Sequence, residues 1–172
     1  MRAVEVVRPQ YVILVGIACG GNKEKQSIGD VLVSHNVIDY DCRKEDYNLE
    51  TEVETTIWRG ARVPSGDVIY RLFNGHSFDW QSQNKARVRM GDIICSSVLL
   101  NNPHKKSTVF ATFHDEPVGY EMEGASAFRA CRYAKITEWL IVKGVCDFGD
   151  GKKNEEKDSY QKKAAKNAVL LR

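Results

Sequence analysis

Apolar residues in this chain fall into short runs separated by polar turns. Residues 11–17 (Tyr-Val-Ile-Leu-Val-Gly-Ile) are continuous and β-branched, with Pro9 in front and Ala18, Cys19, Gly20 and Gly21 behind. That pattern predicts a strand buried on both faces and running into a tight loop. Residues 28–34 and 90–96 each set a Gly-Asp pair near the start of an apolar run and predict two further strands. Turns favour Gly and Asp in any case, so the shared pattern does not imply duplication. Residues 138–145 predict another strand. Residues 158–171 place Tyr160, Ala164, Ala168 and Leu171 on one face with lysines opposite, the signature of a closing helix.

Residues 124–134 are rich in small side chains (Ala125, Ser126, Ala127, Ala130), which lets a helix lie close against a sheet or a ligand. From 41 to 83 the chain is polar and irregular, apart from residues 67–73, whose apolar spacing predicts a short helix. Strands buried on both faces and alternating with helices point to an α/β architecture with covered sheet faces.

The length of 172 residues fits one domain, and 42% hydrophobic with 28% charged residues fits a folded globular chain. Net charge is only +2, with 25 basic residues interleaved among 23 acidic ones, so no nucleic-acid partner is implied. The runs 23–25 and 152–157 contain Glu or Asn and read as solvated faces. The five cysteines, Cys19, Cys42, Cys95, Cys131 and Cys146, form no CxxC pair, which predicts free thiols and a cytoplasmic setting. No apolar stretch approaches the roughly 20 residues of a membrane span, so no membrane partner is expected. His35, His76, His104 and His114 show no metal-site spacing, and neither metal nor organic cofactor is expected.

Three separated segments, in order, carry a resemblance to the nucleoside phosphorylase and nucleosidase superfamily. The first is residues 15–21 with the strand at 28–34, the second is residues 120–125 (Tyr-Glu-Met-Glu-Gly-Ala), and the third is residues 142–147 (Val-Lys-Gly-Val-Cys-Asp). The pattern is most similar to methylthioadenosine/S-adenosylhomocysteine nucleosidases and to nucleosidase-like modules of larger signalling proteins. It extends from about Pro9 to the C-terminus, with residues 41–83 matching only loosely.

The resemblance implies a three-layer α/β/α sandwich with a central mixed β-sheet over residues 1–172. It also implies that the domain lacks the family's usual N-terminal strand and glycine loop. In nucleosidases that part supplies the acid that orients the attacking water, so it would come from sequence ahead of Met1, from the second chain of a split protein or from a partner chain; the family suggests a homodimer.

Residue by residue, the resemblance implies that Glu123 holds the ribose hydroxyls, that Met122 packs on the sugar and that Glu121 supports the segment. Asp147 would be the acid facing a purine, and Ala18, Gly20, Leu99 and Cys146 would complete the substrate site. Two carboxylates suit N-glycosidic cleavage, because an oxocarbenium-like sugar and a poorly leaving purine anion form together. One carboxylate steadies the cation, and the other delivers a proton to N7, a contribution typically worth ~10²–10⁴-fold. A donor at neutral pH needs a raised pKa, and Asp147 follows a buried strand between Cys146 and Phe148, which permits desolvation.

Read without the family, Glu123 is equally an acid at the positive end of the following helix, Asp147 a strand-end turn residue, and Gly20-Gly21 a plain turn. The Asp-Phe-Gly at 147–149 is shared with protein kinases, but their glycine-rich nucleotide loop, lysine strand and His-Arg-Asp loop are absent.

Where one branch of phosphorylases carries an arginine and a serine to grip phosphate, this chain has Leu14 and Ile17. Neither side chain can donate a hydrogen bond, so hydrolysis is expected over phosphorolysis. Residues 98–100 (Val-Leu-Leu) stand where nucleosidases commonly set a Phe against the base, which keeps apolar packing and gives up aromatic stacking. The expected activity is hydrolysis of a purine nucleoside, with or without a 5′ substituent, to base and ribose moiety. The rivals are a nucleoside-binding sensor without turnover and a purine nucleoside phosphorylase.

Overall fold

The computed structural model describes residues 6–151 and 156–171. Its central strands are β1 (Val12–Gly20), β2 (Val31–Asp39), β5 (Arg62–Pro64), β6 (Val88–Cys95), β7 (Gly119–Glu121) and β8 (Trp139–Asp147). They form one mixed sheet in the order β5-β2-β6-β7-β1-β8. β1 and β8 run parallel along nearly their whole length, as do β2 and β6. The sheet also curls: Val31–Val33 of β2 pair antiparallel with β8, while the other half of the same edge, Asn36–Ile38, takes β5. A register break between Ser34 and Val37 lets one strand change partners in this way.

Four helices cover the sheet: α1 (Asp67–Gln83), α2 (Pro103–Ala111), α3 (Gly124–Tyr133) and α4 (Lys157–Leu170). Alternation along the strands feeds two separate cores. Val31, Val33, Leu140 and Val142 point toward α1 and α4, whereas Leu32 and Ile141 point toward Phe128 and Cys131 of α3. The expected layering of helix, mixed sheet and helix is therefore present. A third cluster at the strand ends packs Cys19, Ile38, Ile94 and Tyr120 under Val109 of α2.

Two expectations fail in instructive ways. The stretch 41–83 is more ordered than its polarity suggests, because residues 43–58 form the hairpin β3 (Arg43–Asn48) and β4 (Val53–Trp58). Charges on β3 hide its strand character, and the Thr56 hydroxyl donating to Glu45 across the hairpin (2.6 Å) does the work apolar pairs usually do. The helix at 67–73 continues to Gln83, since Ser77 and Trp80 prolong the buried face begun by Ile69 and Phe73. Asn74, Gly75 and Ser77 have low helix propensity, and tertiary burial overrides them.

β1 corrects the expectation of a strand buried on both faces. Only its end, Ala18–Gly20, is buried, and Ile13 is 37% exposed. The reason is pairing: β8 covers one edge, but β7 meets the other only at Cys19 and Gly20. All five cysteines are free, and among the described residues no helix is long and apolar enough to cross a membrane. Lys23 and Lys25 are exposed and pair with Asp150 and Glu116; positions 152–155 of the other charged run lie outside the described residues.

Candidate active site

Parallel strands bring their C-terminal ends to one side, and here Cys19 of β1 stands beside Asp147 of β8. β7 ends between β6 and β1, so the turn that follows it, Met122 and Glu123, opens onto the same side. A cavity of about 190 Å³ lies there, lined by Ile17, Ala18, Cys19, Leu99, Leu100, Tyr120, Glu121, Met122, Glu123, Cys146, Asp147 and Gln161. Residues 123 and 147, far apart in sequence, thus face one space.

Of the site residues predicted from sequence, Gly20 is the exception. It lies outside this cavity, and a Cβ there would fall 2.6 Å from the Phe148 ring. Its smallness serves close packing of the β1 end against the residue after Asp147.

The Glu121–Glu123 turn is built on a buried lysine. Lys143 of β8 is 2% exposed, and its Nζ lies 3.0 Å from Glu121 Oε2 and 2.6 Å from Glu123 Oε2. Burial alone would pull the Lys143 pKa down, but Glu121 beside it and the bonds to both carboxylates carry it above its ordinary value. Burial likewise pushes the Glu121 pKa up, yet Lys143, the Cys95 thiol and two backbone N–H groups outweigh it and hold it low.

Glu121 has every lone-pair direction used. Its Oε1 accepts from Cys95 Sγ (2.6 Å) and Gly124 N (2.7 Å), and its Oε2 accepts from Glu123 N (3.0 Å). α3 can sit this close because Gly124 has no side chain: a Cβ would meet Ile141 at 2.4 Å and Glu121 Oε1 at 2.6 Å. Glu123 is the residue at the start of α3, but its side chain makes no capping bond. Its carboxylate turns to Lys143 instead and remains 62% exposed toward the cavity. The reading of Glu123 as a helix-end acid is right about its place and wrong about its partner.

Asp147 is held differently. Its Oδ1 accepts from Gly149 N (2.9 Å), a local turn bond, and its Oδ2 accepts from Cys146 Sγ (3.3 Å). Asp147 is exposed, which corrects the expectation that Cys146 and Phe148 desolvate it. Cys146 is buried, and the Phe148 ring leans on Gly20 and lines the outer groove, so neither covers the carboxyl group. Burial first, and Asp147 second, push the Cys146 thiol up to about 12, so it is a neutral donor at pH 7 and no nucleophile. Cys19 and Cys95 are pushed up as well, chiefly by burial. Leu99 and Met122 are exposed at the rim.

Lysine chemistry extends to the outer wall. Lys106 of α2 donates to the carbonyls of Gly20 (2.7 Å) and Phe148 (2.8 Å), tying the β1 end to the Asp147 turn. Beyond that wall lies a larger groove of about 660 Å³, lined by Phe110, Phe113 and Pro117 among others; neither Glu123 nor Asp147 reaches it.

Sequence reasoning missed Lys143, Cys95, Lys106 and Gln161. Lys143 had a signal, since a lysine inside an otherwise apolar strand requires a buried acidic partner. The others are common residue types whose neighbours are set only by folding.

The whole chain, residues 1–172, matches the model of the Phosphorylase superfamily, and the chain belongs to that family. It is 29% identical over 171 residues to the Death domain-containing ATP nucleosidase of Amphimedon queenslandica, covering 91% of this chain and 32% of that protein. It is 26% identical over 167 residues to the 5′-methylthioadenosine/S-adenosylhomocysteine nucleosidase of Marinomonas sp. (strain MWYL1), covering 95% and 67% respectively. Among solved structures, the adenine complex of the corresponding nucleosidase of Colwellia psychrerythraea 34H superposes with a TM-score of 0.77 at 22% identity, covering 98% of this chain and 66% of that one. The chain thus spans about a third of the first relative and two thirds of the others.

Proposed function

We propose that the protein hydrolyses the N-glycosidic bond of a purine nucleoside bearing a 5′ substituent, releasing free base and the ribose moiety. The observation that carries this reading is the single cavity shared by Glu123 and Asp147. Glu123, fixed by Lys143, holds the ribose hydroxyls and faces the positive charge that grows on the sugar, while Met122 packs against the ring. Asp147 delivers a proton to N7 as the C1′–N9 electron pair leaves with the base; a water oxygen then bonds C1′ and loses one proton to solvent, from which Asp147 is reprotonated. Entry of the planar base between Asp147 and Leu99 covers a carboxyl group that is otherwise exposed. The names of the relatives, an ATP nucleosidase and a methylthioadenosine/S-adenosylhomocysteine nucleosidase, support both the reaction and a 5′-substituted substrate.

Hydrolysis is favoured over phosphorolysis by the lining itself. Among the described residues the lining holds no lysine or arginine, the open carboxylates are those of Glu123 and Asp147, and the resemblance puts Ile17 where one branch of phosphorylases carries a phosphate donor. Burying phosphate there would leave its oxygens unpaired beside like charge.

The edge of β1 from Val12 to Ala18 has no strand beside it among the described residues. This supports completion of the sheet by a strand from a partner chain, in a homodimer or a mixed assembly, and the free thiols suit the cytoplasm.

Incubation with adenosine, methylthioadenosine and inosine, with and without phosphate, tests the reading through the free base released. Release without phosphate is the expected result. Release only with phosphate establishes the phosphorylase, and binding without release establishes a sensor.

A further inference from the structure

Past Asp147 the cavity continues into a narrow cleft of about 50 Å³ walled by Lys157, Tyr160 and Gln161 of α4. Leu99, Leu100, Cys146, Asp147 and Gln161 line both spaces, whereas the Glu121–Glu123 turn lines only the first. The Tyr160 hydroxyl is taken by Glu156. The side-chain amide of Gln161 has no hydrogen-bond partner among the described residues, although the residue is half-buried. An amide carries two donors and an acceptor, and these remain accessible and uncommitted at the junction of the two spaces. Its position at the junction points to a ligand as the partner.

The identity of that ligand group follows from geometry and rests on the nucleosidase reading. With the sugar at Glu123 and N7 at Asp147, the six-membered ring of the purine lies farther from the sugar than Asp147 does. N7 and the 6-substituent share one edge of the base. The 6-substituent therefore falls past Asp147, on the side where Gln161 stands.

We propose that Gln161 reads the purine 6-substituent and sets the preference between 6-amino and 6-oxo bases. Its amide oxygen accepts from a 6-amino group. Turned over about its last torsion, the same amide donates to a 6-oxo group, so the wild-type side chain accommodates both. A carboxylate in its place could only accept, which favours 6-amino bases and repels a 6-oxo oxygen.

Calorimetric titration of adenine and hypoxanthine into the wild-type protein, Gln161→Glu and Gln161→Leu tests this without requiring turnover. The Glu variant should shift the ratio of adenine to hypoxanthine affinity toward adenine by about tenfold or more, within the range one base-edge contact supplies. The Leu variant should weaken both bases several-fold and leave circular dichroism unchanged. If the bases bind but the ratio stays within about twofold in the Glu variant, the assignment of Gln161 is overturned and the nucleosidase reading stands. If the wild-type protein binds neither base yet releases base from adenosine or inosine, the assignment of Gln161 falls and the nucleosidase reading stands; if it neither binds nor releases base, the nucleosidase reading falls with it.

Discussion

Two carboxylates line this cavity, and the protein secures them by opposite means. Glu123 is set from below by a buried lysine that also neutralises Glu121, so its position depends on β7, β8 and α3 meeting correctly. Asp147 is set by its own turn through Gly149 N and by the adjacent Cys146 thiol, so its position travels with one short segment. The Glu123 side is thus a product of tertiary packing and the Asp147 side of local chain geometry. On the proposed reading, the carboxylate that meets the sugar is anchored through a buried lysine, whereas the one that gives up and regains a proton is left exposed at the cavity.

The contrast predicts that perturbing the two sides damages different properties. Asp147→Asn should lower base release by ~10²–10⁴-fold, the usual worth of general acid help, while nucleoside affinity stays within several-fold. Asn can keep the bond from Gly149 N, so the melting temperature should barely move; an unchanged rate would remove Asp147 from the donor role. Lys143→Met should do the reverse and cost about 3–5 kcal/mol of stability in urea unfolding, because Glu121 is left charged, buried and unpaired. Adding Glu121→Gln to that variant should restore part of the loss, and no recovery would break the claim that the two act as a pair.

Stability against pH sharpens the same point. Glu121 is held below its ordinary value of 4.5, so its contribution is present above that pH and is lost as the pH falls through the lower folded value. Lys143 is held above 10.5, so its contribution is present below that pH and is lost as the pH rises through the higher folded value. Lys143→Met should flatten both limbs of the stability profile. Glu123→Gln should cost about tenfold in nucleoside affinity with little effect on unfolding, since a carboxamide still meets Lys143 and one sugar hydroxyl. The smallest effect is expected for Cys146→Ala, about 1 kcal/mol, because only two long thiol contacts, to the Ala18 carbonyl and to the exposed Asp147 carboxylate, are lost.

Much of the frame is legible in sequence because its signals are local. The runs that become β1, β2, β6 and β8 are apolar over the length of a strand, and Ala164, Ala168 and Leu171 repeat at helical spacing. The extent of α1 and the β3–β4 hairpin are not legible. Trp80 becomes part of a helix only by filling the space beside Phe73 and Leu140, and the hairpin is held by polar pairs with no apolar period. For the site, the segments containing Glu123 and Asp147 stand out in the chain, but the exposure of Asp147 contradicts what its apolar neighbours suggest.

By itself, then, the sequence determined the strands β1, β2, β6 and β8 and the acids at 123 and 147, because each is carried by residues within a few positions of one another, and the order of three such local segments carried the family resemblance. Only the tertiary structure decided that Lys143 lies beneath Glu121 and Glu123, that the sheet curls to join β2 with β8, and that Gln161 stands beside Asp147. Those relations join residues 14 to 113 positions apart, and hydrogen bonding and burial over such separations are fixed only once the strands have taken their order.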